Sequence, residues 1–438
     1  MKYFQGCSED CLSKERVEKY AEPEGGFIHA MHRALWGDMH FQITGKDRDG
    51  QLTYEGGWQN NRPSEMHGEI RFIENILEEL DSPGEWYFDG EKYLYYYPER
   101  EEELQDAVYE VSCLKNLITL QGSMDRPVCG ITFSNLEFRH AKRTFMETVE
   151  PVLRSDWCIY RGGAVFLEGT EHISFEKCRI YAVGGNGITI SKYNRYARIR
   201  DCEISDAGAN SILIAGDPGA VRSPLFRYEH THGEEGPDMT PGPKSGNYPA
   251  KCLVDGNLLV RNGRVEKQTA GVSLSVCEEI TISHNTIYDV PRAGINICDG
   301  TWGGHLIEKN AVFDTVRETQ DHGAFNSWGR DRYWHPDYEE MEKILRENPD
   351  LPLIDAIKPV VMKNNIFECS DGWDIDLDDG SSNYLITQNL CLGGGIKNRE
   401  GVHRTVTHNV MLHNTFHSHV ALTAFSENDI FFFAEFIQ

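Results

Sequence analysis

The sequence has few basic residues for its size, and this shortage excludes several classes of partner. Among 438 residues, 43 Lys and Arg stand against 69 Asp and Glu, which gives a net charge of −26. Because each phosphate contact needs a cation, this balance argues against nucleic acid and against an anionic membrane surface. Polyanionic substrates are disfavoured for the same reason, so we expect a neutral partner. With 39% hydrophobic residues, the chain is too apolar to be disordered.

Long apolar segments and regularly spaced cysteines are also missing. Residues 1–20 contain no apolar core of the kind that a secretory signal needs, and no run of about 18 apolar residues spans a bilayer. The 12 cysteines are scattered, and Cys178, Cys202 and Cys391 lie in apolar, strand-like segments, which indicates reduced core residues. We therefore expect a cytoplasmic protein without a cofactor, and no metal site is favoured.

Residues 1–125 do not repeat, and we interpret them as a β-rich N-terminal region with one helix. Apolar residues three or four positions apart predict the helix over 69–80. The segments 85–88 and 93–97 flank Asp89-Gly90, which predicts a hairpin because this dipeptide suits a type I′ turn. The many aromatic side chains of the hairpin are either a platform for carbohydrate or strand packing, and packing is the favoured interpretation.

Residues 126–438 repeat a short unit, mostly at intervals of 20–28 residues. Each unit contains a β-branched or aliphatic strand, a marker Cys or Asn, and a Gly-rich turn. The markers are Cys178, Cys202, Asn257, Asn285, Asn310, Asn365, Asn389 and Asn409. A repeat of this length with stacked asparagines predicts an all-β fold, a right-handed parallel β-helix, with each Asn in a left-handed turn conformation. The ends of such a stack are exposed coils that permit end-to-end association.

Two intervals between markers are longer, at 55 residues each, and contain insertions. The Pro/Gly-rich segment 223–249 cannot be a stacked strand. The segment 321–359 includes a predicted helix over 337–348, with Asp337 as its N-cap and Glu340 completing a capping box. Because insertions in repeat proteins project from one face, we expect them to wall a groove.

A polar position recurs eleven residues after five successive markers, at Gln268, Asn296, Asp321, Asp376 and Glu400. Two residues at the same register on adjacent coils lie about 4.8 Å apart. We therefore expect Asp376 to stack on Glu400, and one of these two carboxyl groups to have a raised pKa. Two carboxyl groups about 5–5.5 Å apart are typical of retaining glycosidases. We therefore predict that two of Asp321, Asp376 and Glu400 form a catalytic pair, with Gln268 and Asn296 contacting substrate.

Further candidates for substrate binding surround these acids. The segment 321–336 is dense in hydrogen-bonding and aromatic groups that suit sugars, and Asp378 and Lys397 lie in the next coils. The predicted contacts in the segment and beyond are His322, Asn326, Trp328, Trp334, Asp378 and Lys397. Alternatives remain open: the segment is a loop held by Arg–Asp pairs, and the acidic run 374–383 is a calcium site or a solvated surface.

Several motifs resemble those of parallel β-helix glycoside hydrolases. They are GGWQNNR, ELDSPGEWYFD, DWCIYRGGAV, VGGNGI, YNRYA, PRAGIN, TWGGHLIEKN, DHGAFNSWGRDRYW and DIDLDDGSSNY, between residues 22 and 419. The chain is most similar to glycoside hydrolase family 141 and more distantly to family 120. The resemblance implies hydrolysis of fucosyl or xylosyl linkages in plant cell-wall glycans. It also implies roles for Asp321 of DHG, Asp376 and Asp378 of IDLDD, and Glu400 of REG.

Two other functions are compatible with the same fold. A polysaccharide lyase or epimerase also uses a β-helix, and Lys267 or Lys397 would then be the base beside a bound cation. A β-helix that binds carbohydrate without cleaving it is the other alternative. In each case the expected partner is an oligosaccharide or polysaccharide.

Overall fold

The computed structural model describes residues 10–90, 92–100, 104, 107–412, 420–422, 429–432 and 435–437. An antiparallel four-stranded sheet forms the N-terminal part, preceded by a one-turn helix, Lys14–Val17. The strands are Phe27–His32, Asp38–Lys46, Leu52–Gly56 and Met66–Glu74. The first strand lies between the second and the fourth. It contributes Ile28 to a small apolar core that also contains Ile43 and Ile76.

The helix predicted over 69–80 is wrong. Residues Met66–Glu74 form the fourth strand of this sheet, and only a 3-10 turn, Leu77–Glu79, follows it. Phe27 pairs with Glu74 and His29 pairs with Phe72, so sheet pairing decides the conformation here. The apolar spacing alone could not distinguish a helix from a strand over so short a segment.

The predicted aromatic hairpin is confirmed. Its strands, Trp86–Phe88 and Leu94–Tyr96, pair in antiparallel register. Trp86 and Tyr93 are 52% and 56% exposed, whereas the rings of the paired Tyr87 and Tyr95 lie 5.8 Å apart, so the expected strand packing is confirmed only in part.

The rest of the chain is the predicted right-handed parallel β-helix, built from three parallel sheets. The first sheet, which we call the front sheet, has 14 strands. They are Ile118–Gln121, Val128–Cys129, Val165–Glu171, Ile188–Arg195, Ile212–Ala215, Pro249–Ala250, Ala270–Ser275, Cys277–Glu278, Ala293–Ile297, Trp302–Gly303, Gly323–Ser327, Trp373–Leu377, Ile396–Asn398 and Val420–Leu422.

The other two sheets have ten strands each. The strands of the second sheet are Thr132–Ser134, Ser174–Glu176, Arg198–Arg200, Leu253–Asp255, Thr281–Ser283, Leu306–Glu308, Val360–Lys363, Tyr384–Thr387, Arg404–Thr407 and Ile430–Phe432. Those of the third are Glu137–Arg139, Arg179–Val183, Glu203–Ala207, Leu258–Val260, Thr286–Tyr288, Ala311–Val312, Ile366–Phe367, Leu390–Cys391, Val410–Leu412 and Glu435–Ile437. Apolar side chains from all three sheets fill one continuous core. The division into regions at residues 125 and 126 stays a prediction.

The predicted asparagine ladder is confirmed between the second and third sheets. Asn257 donates from its amide N–H and from Nδ2 to Asn285 Oδ1, both at 2.9 Å, and each later marker repeats this pattern as far as Asn409. The left-handed residue is the one before each marker, with φ between 52° and 71°, rather than the Asn itself. The markers are therefore coil-to-coil hydrogen-bonding groups.

The two insertions contact each other beside the front sheet. The Tyr228 ring of the first lies 5.0 Å from the Trp334 ring of the second. The second insertion is shorter than predicted, because Gly323–Ser327 is a strand of the front sheet. A short two-stranded sheet, Glu150–Pro151 with Cys158–Ile159, and the 3-10 turns Phe145–Glu147, Pro218–Ala220 and Leu351–Ile354 complete the described elements.

The helix in the second insertion spans Tyr338–Glu347, and Asp337 caps it as predicted. Asp337 accepts hydrogen bonds from the amides of Glu339 and Glu340 at 2.9 and 3.1 Å. The capping box is not formed, because the Asp337 amide donates to His335 Nδ1 instead of to Glu340. No helix within the described residues has both the length and the apolar character to cross a membrane.

Candidate functional site

A column of polar side chains crosses the front sheet. Its strand register aligns Ser273, Asn296, Asn326, Asp376 and Lys397 in successive coils. All five are buried. Because neighbouring strands are about 4.8 Å apart, Asp376 lies between an amide on one side and an ammonium on the other.

The predicted stacking of Asp376 on Glu400 is wrong. Asp376 pairs with Lys397, and Glu400 follows three residues later. Counting from the markers fails because Ile396 follows Leu390 by six residues, whereas their partners in the previous coil, Ile366 and Ile375, are nine residues apart. This difference of three residues displaces Glu400 from the column.

Two other candidates are displaced from the column in the same way. Asn326 occupies the position that counting gave to Asp321, and Ser273 occupies the position given to Gln268. Asn296 is in the column as predicted. The positions within each turn, rather than the repeat itself, decide which polar residue reaches the column.

Lys397 joins three carboxyl groups into one cluster, which we call the Lys397 cluster. Its Nζ lies 3.0 Å from Asp376 Oδ1, 3.3 Å from Asp378 Oδ1 and 3.5 Å from Asp321 Oδ1. Any two of these oxygens are therefore at most about 7 Å apart, the sum of their distances to Nζ. The Asp321 side chain is 53% exposed and that of Asp378 is 18% exposed, whereas Asp376 is fully buried. Solvent thus reaches the cluster through Asp321 and Asp378.

The pKa of Asp376 is raised to about 7. Burial is the main cause, Lys397 opposes it, and the negative charges of Asp378 and Asp321 add to it. The predicted raised pKa thus occurs at Asp376, but Glu400 is not its cause. Near neutral pH, Asp376 retains a proton that a more exposed aspartate would have lost.

The pKa of Asp378 moves in the opposite direction, to about 2. Burial alone would raise it, but the positive charges of Lys397, Arg330 and Arg399 outweigh burial. The same cluster raises the pKa of Lys397 above its usual value, although burial opposes this, so the ammonium stays charged. One site therefore holds a protonated carboxyl and an ionised carboxylate on a common cation.

Arg399 connects Glu400 to the Lys397 cluster. Its Nη1 lies 3.2 Å from Asp378 Oδ1, and its Nε lies 3.1 Å from Asp379 Oδ1 and 2.9 Å from Glu400 Oε2. Arg330, which is buried, donates to Asp379 Oδ2 at 3.0 Å. Glu400 therefore lies at the edge of the cluster, paired with an arginine.

Arg292 orients the amide next to Asp376. It donates to Asn326 Oδ1 at 3.1 Å and to Asn296 Oδ1 at 2.9 Å, and its guanidinium lies 4.5 Å from the centroid of the Trp157 ring. Since Asn326 Oδ1 accepts from Arg292, its Nδ2 points to Asp376 and donates to Oδ2 at 3.0 Å. Asp376 is thus held on both oxygens.

The predicted aromatic contacts to sugar are packing residues. Trp328 is 4% exposed and lies edge-to-face with Trp157 at 5.7 Å. Trp334 is also 4% exposed and packs with Met341 and Leu345 of the helix. Neither ring offers an open face to a sugar, so the structure contradicts their predicted role.

His322 and Gln268 are also enclosed. His322 Nδ1 lies 3.0 Å from Thr319 Oγ1, and burial lowers the pKa of His322 well below its usual value, so the imidazole is neutral. Gln268 packs against Gly37, where a Cβ atom would lie 1.7 Å from Gln268 Cγ. These two side chains shape the wall beneath the N-terminal sheet.

The N-terminal sheet reaches the Lys397 cluster through one turn. The carbonyl of Leu35 accepts a hydrogen bond from the amide of Gln320 at 3.0 Å, immediately before Asp321. Leu35 and Asp321 both have left-handed backbones, with φ of 58° and 60°. A cleft of about 460 Å³ opens beside this turn.

The lysines suggested as bases are both ion-paired. Lys267 lies 3.1 Å from Glu318, and both side chains are buried. Lys397 is held as an ammonium by the Lys397 cluster. Within the residues that the structure describes, no three His, Cys, Asp or Glu side chains are arranged to hold a metal ion.

Sequence comparison identifies the β-helix itself. Residues 116–227 and 162–333 match a family model described as a right handed beta helix region. A search of curated proteins finds no match. The fold and this match define the chain as a right-handed parallel β-helix protein.

Solved structures share this fold at low sequence identity. A protein titled glycoside hydrolase is 16% identical, with a TM-score of 0.62 over 93% of this chain and 68% of its own. A GH136 lacto-N-biosidase from Eubacterium ramulus is 12% identical, with a TM-score of 0.36 over 74% of this chain and 59% of its own. The A-module of the Azotobacter vinelandii mannuronan C-5 epimerase AlgE6 is 12% identical, with a TM-score of 0.35 over 61% of this chain and 52% of its own. At these identities the similarity establishes the fold alone.

Several residues of the site were missed in the sequence. Arg292 stands in PRAGIN without an acid beside it, and Arg399 is next to the predicted Glu400 in REG, which is its only signal in the sequence. Asp379 directly follows the alternating acids Asp374, Asp376 and Asp378, so the sequence gives no separate signal for it. Trp36 precedes the β-helix by more than 80 residues, so no repeat could indicate that it lies near Asp321.

Proposed function

We propose that this chain is a glycoside hydrolase that acts on neutral plant cell-wall-type glycans, at fucosyl or xylosyl linkages. The observation that carries the proposal is the grouping of Asp376 and Asp378 around Lys397 Nζ, at 3.0 and 3.3 Å, with the pKa of Asp376 raised and that of Asp378 lowered. Glycoside cleavage needs one protonated carboxyl and one ionised carboxylate flanking the linkage. The resemblance to families 141 and 120 supports the substrate class.

In this proposal Asp376 is the general acid and Asp378 is the nucleophile. Their Oδ1 atoms are at most about 6.3 Å apart, the sum of 3.0 and 3.3 Å to Lys397 Nζ, and this upper limit lies below the separation of about 6.5 Å at which the range of inverting enzymes begins. Asp378 attacks the anomeric carbon while Asp376 gives its proton to the departing oxygen. Asp376 then takes a proton from water, which attacks the anomeric carbon and releases Asp378.

The other members of the site have supporting roles. Asn326 and Lys397 cover Asp376, so the ammonium moves aside when a sugar enters. Asp321 is the most exposed acid of the cluster and binds substrate hydroxyls. Glu400, paired with Arg399, is assigned to the edge of the site rather than to the catalytic pair.

The test is substitution of each acid by its amide. We expect Asp376→Asn and Asp378→Asn each to reduce kcat/KM on aryl fucosides or xylosides by about 10²–10⁴-fold. Asp321→Asn and Glu400→Gln are expected to cost less. Asp371→Asn, which changes an exposed aspartate of the preceding turn, is the matched control and should leave the rate unchanged. Turnover is measured by release of the aryl group and, with plant glycans, by reducing ends.

Two results would overturn the proposal. Unchanged turnover in both Asp376→Asn and Asp378→Asn would remove the catalytic pair. Unsaturated products that absorb in the ultraviolet, formed by the wild-type chain, would instead show a lyase.

A further inference from the structure

The cleft beside the Leu35 turn combines an aromatic ring with charged and polar side chains. The end of the first N-terminal strand and the connections between the N-terminal strands line most of it, and the turn between Glu150–Pro151 and Cys158–Ile159 supplies one acid. The residues that matter here are His32, Trp36, Asn60, Arg62, Ser64 and Asp156. Its volume of about 460 Å³ is within the range of small-molecule sites.

An aromatic ring is fixed in this cleft. The indole of Trp36 is partly exposed, and the guanidinium of Arg62 lies 5.2 Å from its centroid. Arg62 also lies 4.0 Å from the centroid of the Tyr228 ring, so the cation is held between two aromatic residues. The His32 ring meets Trp36 edge-on at 5.5 Å. Trp36 is therefore oriented by its neighbours before any ligand arrives.

The charges of the cleft are balanced. Arg62 pairs with Asp156 at 3.7 Å, and Arg33, on the rim, pairs with Glu65 at 3.1 Å. Burial lowers the pKa of His32, so it contributes no positive charge near neutral pH. Since each of these arginines has a carboxylate partner, the cleft favours a neutral ligand over an acidic sugar.

An unused acceptor is present as well. Asn60 donates through Nδ2 to the carbonyl of Asp38 at 3.0 Å, and this fixes the orientation of its amide. Its Oδ1 is buried and has no hydrogen-bond partner among the described residues. A buried acceptor of this kind costs free energy unless a donor such as a hydroxyl group satisfies it.

The cleft is adjacent to the Lys397 cluster by two routes. Leu35, next to Trp36, accepts a hydrogen bond from Gln320, which precedes Asp321. On the other side, Asp156 lies 3.4 Å from Arg330, which contacts Asp379 of the acidic run. The cleft and the acids are thus joined by direct contacts between the residues that form them.

We propose that this cleft binds a second, neutral sugar unit of the same substrate, with Trp36 as the stacking surface and Asn60 Oδ1 as a hydroxyl acceptor. The proposal rests on the proposed function for the identity of the adjacent site. It makes an oligosaccharide of two or more units, rather than a single glycoside, the preferred ligand. It also makes the N-terminal sheet part of the binding site.

The experiment measures binding and turnover separately. The ligands are xylose and xylo-oligosaccharides of two to four units, together with the corresponding fucosylated oligosaccharides, titrated by calorimetry into the full chain and into its Asp376→Asn variant. We expect affinity to rise by about tenfold or more from one unit to two. Trp36→Ala should abolish that rise, because truncating an aromatic anchor typically costs at least this much.

Further variants separate stacking from packing. Trp36→Phe keeps an aromatic face and should retain most of the rise in affinity, whereas Trp36→Leu keeps apolar volume and should lose it. Trp86→Ala, which removes an exposed tryptophan of the hairpin outside the cleft, is the matched control. Thermal unfolding of each variant verifies that the fold is retained.

The outcomes distinguish the two proposals. Equal affinity for one and two units in the wild-type chain, or an equal rise in the wild-type and Trp36→Leu chains, overturns the subsite. Chain-length-dependent binding that requires Trp36, in a chain that cleaves no glycan, supports the subsite and overturns the hydrolase. Cleavage whose rate depends neither on Trp36 nor on the chain length of the substrate supports the hydrolase and overturns the subsite.

Discussion

At the scale of single residues, the charge of Lys397 lowers the pKa values of Asp376 and Asp378, the two inner carboxyl groups of the site. Lys397 opposes the effect of burial at Asp376 and is the largest attractive charge at Asp378. In the wild-type chain we expect kcat/KM to fall above about pH 7, as Asp376 loses its proton. On the acidic side it should fall only near pH 2, where Asp378 gains one. A bell-shaped profile of this breadth is the signature of the pair.

Replacing Lys397 by Met removes the charge and should raise the pKa of both carboxyls. An opposite charge at this range lowers a carboxyl pKa by about 1–3 units, so both limbs of the profile should move to higher pH by about that amount. The measurement is the pH dependence of kcat/KM, supported by carboxyl ¹³C NMR of Asp376. Lys343→Met, on the exposed helix, is the control and should not move either limb. If the Lys397→Met profile coincides with that of the wild type, Lys397 does not set these pKa values.

At the scale of elements, the asparagine ladder holds successive coils together. Asn310 is buried, accepts from the amide and Nδ2 of Asn285 at 3.0 Å, and donates to Asn365 Oδ1 and to the Ile282 carbonyl. Replacing it by Ala leaves four buried polar groups without this partner. Each marker thus serves the coils on both sides of it.

We expect Asn310→Ala to lower the free energy of unfolding by about 2–4 kcal/mol, because an unsatisfied buried group costs about 1–3 kcal/mol. Denaturant-induced unfolding, followed by circular dichroism, measures the loss. Asn348→Ala, at the exposed C-terminal end of the helix, should cost no more than about 0.5 kcal/mol. A loss at Asn310 as small as that at Asn348 would show that the ladder contributes little to stability.

The contrast between the ladder and the polar column of the front sheet shows what the sequence could predict. The markers lie at one place in every coil because each stands three residues after a paired core residue of the second sheet and two before one of the third, so the fold and the ladder from Asn257 to Asn409 were predictable. The column follows a turn of variable length. The connection before Lys397 is three residues shorter than in the previous coil, so Lys397 stands in the column where counting placed Glu400. Contacts such as Arg292 with Asn326, which depend on three-dimensional packing, left no periodic signal. The strand over 66–74 was missed because its partner, Phe27–His32, lies far away in sequence.

At the scale of the whole molecule, the N-terminal sheet attaches to the β-helix through polar contacts. Gln59 donates to the Phe145 carbonyl at 3.0 Å, and Asn61 donates to that of Ser155 at 3.1 Å. Glu74, on the fourth strand of the sheet, pairs with Arg143 of the β-helix and lies 3.1 Å from His29 Nε2. The cleft at Trp36 depends on this attachment, since most of its lining comes from the sheet.

Acid should weaken the attachment. Burial alone would raise the pKa of Glu74, but His29 and Arg143 lower it from 4.5 to about 2. A carboxyl with a depressed folded-state pKa stabilises the fold above its unfolded pKa, and the contribution disappears as pH falls from about 4.5 to about 2. Burial also lowers the pKa of His29, so its protonation below about pH 6.5 favours unfolding in the same direction.

We therefore expect the wild-type chain to lose stability on acidification, with Glu74 accounting for up to about 3 kcal/mol between pH 5 and pH 2. In Glu74→Gln this part of the pH dependence should vanish, and stability at pH 7 should already be lower. Unfolding is followed by intrinsic tryptophan fluorescence at each pH, with Glu18→Gln, which changes an exposed carboxylate paired with Lys14, as the control. If Glu74→Gln and the wild type lose stability in parallel as the pH falls, other acids govern the response, and the N-terminal sheet is not held by this ion pair. Because the sheet lines the cleft, acidification should also weaken ligand binding. When oligosaccharide binding is measured over the same pH range, the affinity for two-unit ligands should fall as the contribution of Glu74 to stability is lost.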